Sequence, residues 1–278
     1  MPPDVRQFEQ AAARLRGARR VVVFTGAGVS AESGIATFRD PEGFWSKFPP
    51  EQFGNWQGLM RMVAVKPTRL IDFLLAVLEP LAQAEPNPAH RAIARLQGHT
   101  GVTVVTQNVD GLHQAAGSQV VHEVHGSLFE VVTLQGRTVR RLSPAQMQAI
   151  VEGLRSARGA PMSRFRMFRA LRPMLGMSRR GLYRPAIVLF GEMMAEPAWS
   201  NSVEAVEACD CLISVGTSAA VFPAAGLVDL ARRHGAKVIT VDPAGGAGES
   251  VLRAPAGEAL PALVEAAFGS VPPAGRGT

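Results

Sequence analysis

The chain has 278 residues, of which 47% are hydrophobic, enough to bury the core of one large domain or of a domain with a smaller one inserted. Its apolar stretches are interrupted well before the roughly 18 residues that a membrane-spanning helix needs, and its N-terminus lacks the apolar core of a secretory signal. The two cysteines, Cys209 and Cys211, cannot bridge comfortably as strand neighbours, and two sulfurs alone cannot make a structural zinc site. We therefore expect a globular, cytoplasmic protein with no membrane span and no bound metal.

The net charge of +6 is unevenly distributed along the chain. Twelve arginines lie between Arg137 and Arg184 against the single acidic residue Glu152, whereas the rest of the chain holds 17 basic and 22 acidic residues. A charge run of this kind is usually a solvated surface, but it also suits an acidic partner such as nucleic acid, an anionic membrane or an acidic protein. Both interpretations of this arginine-rich insert, residues 137–184, stay open.

Strands and helices are predicted to alternate over most of the chain. Residues 5–16 have the apolar spacing of an amphipathic helix, and Arg20–Thr25 form a β-branched run that suits a buried parallel strand. Further strands of this kind are predicted at 102–105, 211–215 and 237–241, and further helices at 88–97, 222–234 and 258–268. This alternation predicts an α/β fold built on a Rossmann-like doubly wound parallel sheet.

Two segments outside this alternation predict a smaller, mainly helical inserted domain. Residues 44–85 have apolar side chains at helical spacing, and residues 144–155 and 164–175 predict two more helices. On the last helix we expect Arg164, Arg166, Arg169 and Arg172 to share one face, and Phe165, Met167, Phe168 and Leu171 to pack on the other. The predicted Rossmann-like domain comprises 1–43, 86–127 and 186–270, the small domain 44–85 and 128–185, and a flexible tail 271–278.

A glycine-rich turn, Gly26-Ala27-Gly28-Val29-Ser30, follows the first predicted strand. Glycine allows backbone N–H groups to approach a phosphate closely, and the serine adds a hydroxyl. The spacing is not GxGxxG, so the turn alone leaves nucleotide binding and a plain tight turn equally open. Nucleotide binding is favoured by the residues behind it, Glu32-Ser33-Gly34 and Thr37-Phe38-Arg39, because a guanidinium binds phosphate oxygens bidentately.

Polar side chains also follow the strand predicted at 102–105. Gln107, Asn108 and Asp110 stand at its carboxyl end, where an open α/β sheet binds its ligands, and they suit a carboxamide such as that of nicotinamide. An Asx-rich turn is the alternative. His125, in Val124-His125-Gly126, has an ordinary pKa that suits a general base near neutral pH, although a lone histidine is more often structural.

Together these motifs resemble the sirtuins, a family of NAD-dependent protein deacylases of which some members transfer ADP-ribose instead. The resemblance covers most of residues 18–130 and 185–265. It implies that NAD is the cofactor and that acylated lysine on a protein or peptide is the substrate. It also implies that His125 is the catalytic base, that Asn108 orders water and the ribose, and that Asp110 recognises the nicotinamide.

The resemblance implies further site residues. The cofactor-binding set that it implies is Gly26, Ala27, Gly28, Ser30, Glu32, Thr37, Phe38, Arg39, Gln107, Asn108, Asp110, Gly216, Thr217, Ser218, Asp242 and Ala256. Val188, Phe190, Gly191 and Glu192 are implied to bind an extended substrate peptide as an added edge strand; a buried strand ending in a turn is the alternative. Asp242 stands where sirtuins commonly have asparagine, and an acid there favours NAD over its 2′-phosphate form.

The chain departs from the family pattern in residues 131–184, where most sirtuins hold a zinc ion with four cysteines and this chain has none. We expect a hydrophobic substitute built from Met147, Ile150, Leu154, Phe165, Phe168 and Leu171. Sirtuins that favour succinyl or malonyl lysine have a Tyr and an Arg three residues apart in the small domain. Residues 45–66 contain no such pair, which favours neutral acyl groups, acetyl or longer.

The activity implied by the resemblance is removal of acetyl or other acyl groups from protein lysine, with release of nicotinamide and O-acyl-ADP-ribose. One alternative is a protein ADP-ribosyltransferase or NAD hydrolase on the same scaffold, although the presence of His125 counts against it. An alternative of another class is a non-catalytic NAD-binding regulatory module whose basic insert grips a partner. The sequence makes no prediction about the oligomeric state.

Overall fold

The computed structural model describes residues 5–37, 44–178, 181–218 and 221–269. In chain order, its strands are β1 (Arg20–Thr25), β2 (Gly101–Thr106), β3 (Val121–Glu123), β4 (Gly126–Thr133), β5 (Thr138–Arg141), β6 (Gly176–Ser178), β7 (Gly181–Ile187), β8 (Cys211–Val215), β9 (Lys237–Val241) and β10 (Ser250–Leu252). Its α-helices are α1 (Val5–Gly17), α2 (Phe44–Lys47), α3 (Pro50–Phe53), α4 (Trp56–Val65), α5 (Pro67–Gln83), α6 (Pro88–Leu96), α7 (Leu112–Ala115), α8 (Pro144–Ala157), α9 (Ser163–Leu171), α10 (Ala198–Ala208), α11 (Gly226–Arg233) and α12 (Ala256–Phe268). A 3₁₀ helix, Ala27–Ser33, follows β1.

Six strands form a parallel sheet in the order β10-β9-β8-β1-β2-β3. β1 lies inside the sheet, with Val23 beside Val104 of β2 and Ile213 of β8. All residues of β1 after Arg20 are buried, as its β-branched run predicts for a strand covered on both faces. Because the strand order reverses at β1, the predicted Rossmann-like doubly wound sheet is confirmed. The crevice for a ligand in such a sheet lies at the carboxyl ends of the strands beside this reversal.

Helices cover both faces of the parallel sheet, as predicted. On one face, α1, α6 and α12 contribute buried side chains such as Leu15, Ile93 and Leu263. On the other face, α10 and α11 contribute Val206 and Leu227. Burial of one such side chain is worth roughly 1.5–3 kcal/mol, so this two-sided core holds the strand ends rigidly.

The inserted segments form their own core around a second sheet. Helices α2 to α5, α8 and α9 surround an antiparallel sheet with the strand order β5-β4-β7-β6. The helices were predicted from the sequence, whereas this small sheet was not. The large, fully buried side chains of this second core include Phe48, Phe53, Met147 and Leu154. The predicted domain boundary at residue 127 lies inside β4, and the domain boundaries stay a prediction.

Tyr183 ties the small sheet to the helical insert. Its ring is buried, its hydroxyl donates a hydrogen bond to the Arg172 carbonyl oxygen at 2.9 Å, and the Arg140 guanidinium lies 5.1 Å from the ring centroid. A Cβ on Gly176 would stand 2.6 Å from the Tyr183 hydroxyl, so glycine is needed opposite the ring. This tyrosine therefore fastens β6 and β7 within the segment that has no cysteine.

The prediction that Phe165 and Phe168 pack inside the small domain is wrong. Their side chains are 62% and 43% exposed, whereas Met167 and Leu171 of the same helix are buried as predicted. The nine-residue helix α9 packs against α8 and α5 through one narrow face, so helical spacing places the two phenylalanines with the arginines on the outer side. No helix in the described part of the chain is long and apolar enough to span a bilayer.

Candidate active site

The loops after β1, β2 and β8 meet at the carboxyl edge of the parallel sheet. Thr25 of β1 is in register with Thr106 and Val215, so the residues that follow these three strands come together. The Gly26 N–H donates to the Val215 carbonyl oxygen at 3.1 Å, and the Gln107 N–H donates to the Thr25 carbonyl oxygen at 3.0 Å. Most residues of the predicted cofactor site therefore lie on three adjoining loops.

Two glycines bring the first and third loops into backbone contact. The Gly28 N–H donates to the Gly216 carbonyl oxygen at 2.9 Å, and a Cβ on Gly28 would stand 2.6 Å from the Gly216 Cα. Gly216 also has a positive φ of 56°, a conformation that favours glycine. The glycine pattern was predicted from the needs of a phosphate, and the structure adds a second reason, the close packing of two loops.

Ser30, Asn108 and Asp110 form a buried hydrogen-bonded group beneath these loops. The Ser30 hydroxyl donates to Asp110 Oδ2 at 2.7 Å, and Asn108 Nδ2 donates to Ser30 Oγ at 3.0 Å. The Leu112 N–H donates to Asp110 Oδ1 at 3.0 Å. Burial raises the pKa of Asp110, and the hydrogen bonds from Leu112 and Ser30 oppose that rise. The structure thus brings Ser30 together with Asn108 and Asp110, which lie about 80 residues later in the sequence.

A layer of buried polar groups supports this site, and the sequence did not predict that these groups are connected. His113 Nε2 lies 3.0 Å from Thr25 Oγ1, which donates to Thr106 Oγ1 at 2.8 Å. The His90 and His113 rings are 4.8 Å apart, and burial lowers their pKa values to about 4 and about 3. Both rings are therefore neutral near pH 7. The sequence Asn87-Pro88-Ala89-His90 weakly indicates a structural role for His90, because it forms a capping box at the start of α6.

His125 lies between the end of β3 and the start of β4, and one of its nitrogens is fixed by the neighbouring loop. Nδ1 is 3.0 Å from the Gln107 carbonyl oxygen, and because a carbonyl only accepts, Nδ1 bears the proton and Nε2 has a free lone pair. Burial lowers the pKa of His125, and the hydrogen bond to Gln107 opposes that shift. Both effects together leave a neutral, oriented imidazole that is only partly buried.

The segment after β7 lies beside His125. The Val188 N–H donates to the His125 carbonyl oxygen at 2.9 Å, and the Phe190 N–H donates to the Gly54 carbonyl oxygen at 2.9 Å. Strand β6 pairs with β7 only at residues 181–183, so residues 184–187 pair with β4 alone in the described part of the chain. An open strand edge of this kind can accept an extended peptide.

Glu192, predicted to bind peptide, has several intramolecular partners. It accepts hydrogen bonds from Trp56 Nε1 and from an Arg184 nitrogen, both at 3.0 Å, and from the Leu189 N–H at 2.9 Å. The Arg184 guanidinium also lies 5.1 Å from the centroid of the Trp56 ring. Phe190 is exposed, and Gly191 has a positive φ of 88°. Glu192 therefore holds the loop that presents Phe190 and Gly191.

The remaining predicted cofactor residues lie around the third loop and α12, or outside the described residues. Thr217 Oγ1 accepts a hydrogen bond from Gln107 Nε2 at 3.0 Å, and Ser218 is exposed at the end of that loop. Asp242 is buried after β9 and accepts from the Ala244 N–H at 2.9 Å. Thr37 is half-buried at the edge of the described segment; the predicted residues Phe38 and Arg39 lie outside the described residues.

Glu32 and Ala256 meet at the N-terminus of α12. The Glu32 carboxylate accepts a hydrogen bond from the Gly257 N–H at 2.6 Å, which suits an anion at the positive end of a helix. Ala256 is buried in the first turn of that helix. Glu32 thus fastens the 3₁₀ helix to α12.

Comparison with known proteins identifies the family. A NAD-dependent protein deacylase of Mycobacterium tuberculosis (strain H37Rv) is 41% identical over 252 residues, covering 88% of this chain and 97% of that protein. A NAD-dependent protein deacylase of Pseudomonas putida is 39% identical over 265 residues, covering 93% and 94% of the two chains.

Solved structures lead to the same family. A variant of a Sir2 homologue in complex with ADP-ribose superimposes with a TM-score of 0.74 at 31% identity, covering 93% of this chain and 96% of that one. A Sir2 homologue in complex with NAD has a TM-score of 0.71 at 32% identity and covers 92% of both chains. A Sir2 protein bound to a myristoylated histone peptide has a TM-score of 0.67 at 30% identity, covering 94% and 96%. Residues 26–223 match the Sir2 family model, and the chain belongs to the Sir2 family.

Proposed function

We propose that this chain removes acyl groups from protein lysine in a NAD-dependent reaction and that His125 is its general base. Nicotinamide and an O-acyl-ADP-ribose are the other products. The single observation that carries the assignment is the hydrogen bond between His125 Nδ1 and the Gln107 carbonyl oxygen, which leaves Nε2 free to accept a proton. Its relatives in Mycobacterium tuberculosis and Pseudomonas putida are NAD-dependent protein deacylases, which supports the same activity here.

The donor set at the sheet edge fits NAD. When bound, NAD supplies the ADP-ribosyl group that receives the acyl group and the nicotinamide that leaves. Asp110 is held by Ser30 and Leu112, and a carboxylate has lone pairs left to accept from a carboxamide. Asn108 is buried beside it and donates to the Gly26 carbonyl oxygen at 3.2 Å. We infer that these two side chains orient the nicotinamide end of the site.

The other two loops complete the proposed cofactor site. The first loop, with Gly26, Ala27, Gly28 and Ser30, is proposed to let the phosphates approach its backbone closely, while the Gly26 and Gly28 N–H groups and the Ser30 hydroxyl bond to the neighbouring loops. Gln107 and Thr217 join the second loop to the third. Gly216, Thr217, Ser218, Asp242 and Ala256 are proposed to surround the adenosine end. Glu32, Thr37, Phe38 and Arg39 complete the proposed set. The shared hydrogen bonds between the loops pre-organise the site before NAD binds.

His125 Nε2 is proposed to accept a proton from a ribose hydroxyl of bound NAD, whose oxygen would receive the acyl group as the bond from that group to the lysine nitrogen breaks. The backbone partner of Nδ1 fixes the tautomer and the ring orientation. The lowered pKa keeps the ring neutral at pH 7, so the base is ready without prior loss of a proton. An acylated lysine is proposed to reach this position from a peptide that lies along Val188, Phe190 and Gly191, beside the open edge of β7, with Glu192 supporting that loop.

We also propose that the small domain works without zinc and that the protein is cytoplasmic. Tyr183 joins β6, β7 and the backbone at Arg172 within residues 131–184, the segment that contains no cysteine. Cys209 lies just before β8 and Cys211 is its first residue. Burial raises the pKa of the Cys209 thiol to about 11 and that of the Cys211 thiol to about 12. Thiols held protonated at pH 7 are poor metal ligands.

The proposed function is tested with the purified protein, NAD and peptides containing acetyl-, butyryl- or myristoyl-lysine. Mass spectrometry follows the peptide, free nicotinamide and O-acyl-ADP-ribose together. We expect the three products in equal amounts from at least one peptide. Nicotinamide without a change in the peptide would instead indicate ADP-ribose transfer or NAD hydrolysis, and NAD binding without turnover would indicate a regulatory module.

The role of His125 is tested by His125→Ala. We expect kcat/KM for deacylation to fall by about 10²–10⁴-fold, the usual contribution of a positioned base, with NAD affinity nearly unchanged. The matched control is His234→Ala, because His234 lies on the surface with 43% of its side chain exposed. Deacylation at the wild-type rate by His125→Ala would contradict the assigned role.

A further inference from the structure

The outer side of α9 combines exposed aromatic rings with positive charge. We call it the α9 face and define it by Arg164, Phe165, Arg166, Phe168, Arg169 and Arg172. All six side chains are exposed, while Met167 and Leu171 hold the helix to the small-domain core. An exposed pair of phenylalanines amid like charges on a packed helix suggests a surface with a binding role.

The arginines of the α9 face differ from those of the neighbouring helix. Arg155 of α8 pairs with Glu79 at 2.6 Å, and Arg158, directly after α8, pairs with Asp72 at 2.7 Å, so both are neutralised by α5. Within the described ranges, Arg166, Arg169 and Arg172 have neither an ion pair nor a side-chain hydrogen bond. Three positive charges are therefore available to an external anionic surface.

A shallow cavity adjoins the two phenylalanines. Its volume is about 500 Å³, and it is lined by Pro67, Met162, Ser163, Arg164, Phe165 and Phe168. Arg164 is held beside it by a 2.9 Å hydrogen bond to the Ala64 carbonyl oxygen. The lining is mostly apolar, so it suits hydrocarbon better than the hydrogen-bonding edges of a nucleobase.

We propose that the α9 face docks on a bilayer that contains anionic phospholipid. Phe165 and Phe168 enter the boundary between headgroups and acyl chains, and Arg166, Arg169 and Arg172 contact the phosphates, as in other interfacial helices. The rest of the chain outside residues 137–184 is mildly acidic, so an anionic surface also turns the molecule with the insert toward the membrane. Docking of this kind brings the deacylase to proteins at the membrane surface.

The test is sedimentation of the full chain with vesicles of equal parts phosphatidylcholine and phosphatidylglycerol, beside vesicles of phosphatidylcholine alone. We expect binding to the anionic vesicles that weakens with added salt. The double variant Phe165→Ser/Phe168→Ser should lower the partition coefficient by about tenfold or more. Arg169→Gln should lower it by about fivefold, the loss expected for one arginine near the surface.

The matched control is Val120→Ser/Arg233→Gln, which removes one exposed apolar and one exposed basic side chain from the opposite domain. It should bind anionic vesicles like the wild type. All variants should keep the wild-type Tm and the same rate with a soluble acetyl-lysine peptide, so a failure here leaves the proposed enzymatic function untouched. The proposal is overturned if the wild type does not bind anionic vesicles, if the Phe165/Phe168 variant binds them equally, or if the α9 variants lose binding only to single-stranded oligonucleotides.

Discussion

His90 and His113 belong to a polar layer that is sealed under the candidate active site. Their rings lie within hydrogen-bonding range of Ser30 and Thr25, at 3.5 and 3.0 Å, and neither ring reaches solvent. Neutral imidazole can occupy such a place, but imidazolium there loses its hydration without gaining an anionic partner. The contact of His90 with Ser30 and that of His113 with Thr25 thus depend on uncharged rings.

This burial predicts acid sensitivity. Above pH about 6.5 both histidines are neutral in the folded and unfolded chains, so they add no pH dependence. As the pH falls below 6.5, the unfolded chain takes up protons first, because the folded pKa values are about 4 and about 3. The free energy of unfolding should then fall by about 1.4 kcal/mol per pH unit for each histidine down to those values.

Urea unfolding between pH 7 and pH 4 measures this slope. In His113→Asn the free energy of unfolding should change less steeply with pH, by roughly 1.4 kcal/mol per pH unit, because one fewer proton is taken up on unfolding. The variant should be less stable than the wild type at every pH. Val120→Ser serves as the control, because it changes an exposed side chain without removing a titratable group, and it should keep the wild-type slope. Equal slopes in His113→Asn and the wild type would refute the link between His113 and acid sensitivity.

At the scale of elements, β6 and β7 depend on Tyr183. The Arg172 carbonyl oxygen accepts from its hydroxyl, and Gly176 leaves room for it. Removal of the hydroxyl should lower the free energy of unfolding by more than the net contribution of the hydrogen bond, because the buried carbonyl oxygen is left without a donor.

Tyr183→Phe should therefore lower the free energy of unfolding by about 1–3 kcal/mol, measured by urea denaturation. Gly176→Ala should destabilise the protein as well, since its Cβ would meet the hydroxyl at 2.6 Å. The double variant should be less destabilised than the sum of the two, because loss of the Tyr183 hydroxyl removes the closest of the contacts that a methyl group at position 176 would make and leaves the ring carbon Cζ at 2.9 Å. Additive effects would show that residues 176 and 183 do not interact in this way.

The elements also show where sequence reasoning succeeds and fails. Four of the six strands of the parallel sheet were predicted, because β-branched runs such as Arg20–Thr25 are typical of buried strands. The two edge strands β3 and β10 were not predicted, since each is only three residues long. The small sheet was not predicted, since Thr138–Arg141 is polar and Gly181–Ile187 contains Gly, Arg and Pro, which are poor strand signals. Helical spacing on α9 was recognised, but spacing alone does not tell which face a neighbouring helix will cover.

At the scale of the whole molecule, polar contacts fasten the loop after β7 to helix α4 beside the segment proposed to bind peptide. Trp56 of α4 and Glu192 after β7 form one such contact, and Arg184 reinforces it. The gathering of Asn108, Asp110 and Ser30 was predictable in outline, because the loops of a doubly wound sheet meet at one edge. The buried layer beneath them was not, since a lone histidine in a sequence does not reveal its burial.

The proposed zinc-free small domain makes a prediction for the whole protein. Dialysis against EDTA should leave both the Tm and kcat/KM for deacylation unchanged, because the small-domain core contains side chains such as Met147, Ile150 and Leu154 and is fastened by Tyr183. Differential scanning calorimetry and the mass-spectrometric assay measure the two quantities. A loss that added zinc restores would contradict the proposal.

The contact between Gly28 and Gly216 limits how this molecule can vary over evolutionary time. Each glycine occupies the space that a methyl group on the other would need, since either Cβ would stand within 2.7 Å of the opposite backbone. Neither position can acquire a side chain alone, and a change at both would part the first loop from the third. Substitutions at the proposed cofactor site are thus tolerated beside these loops rather than at the two glycines where the loops touch.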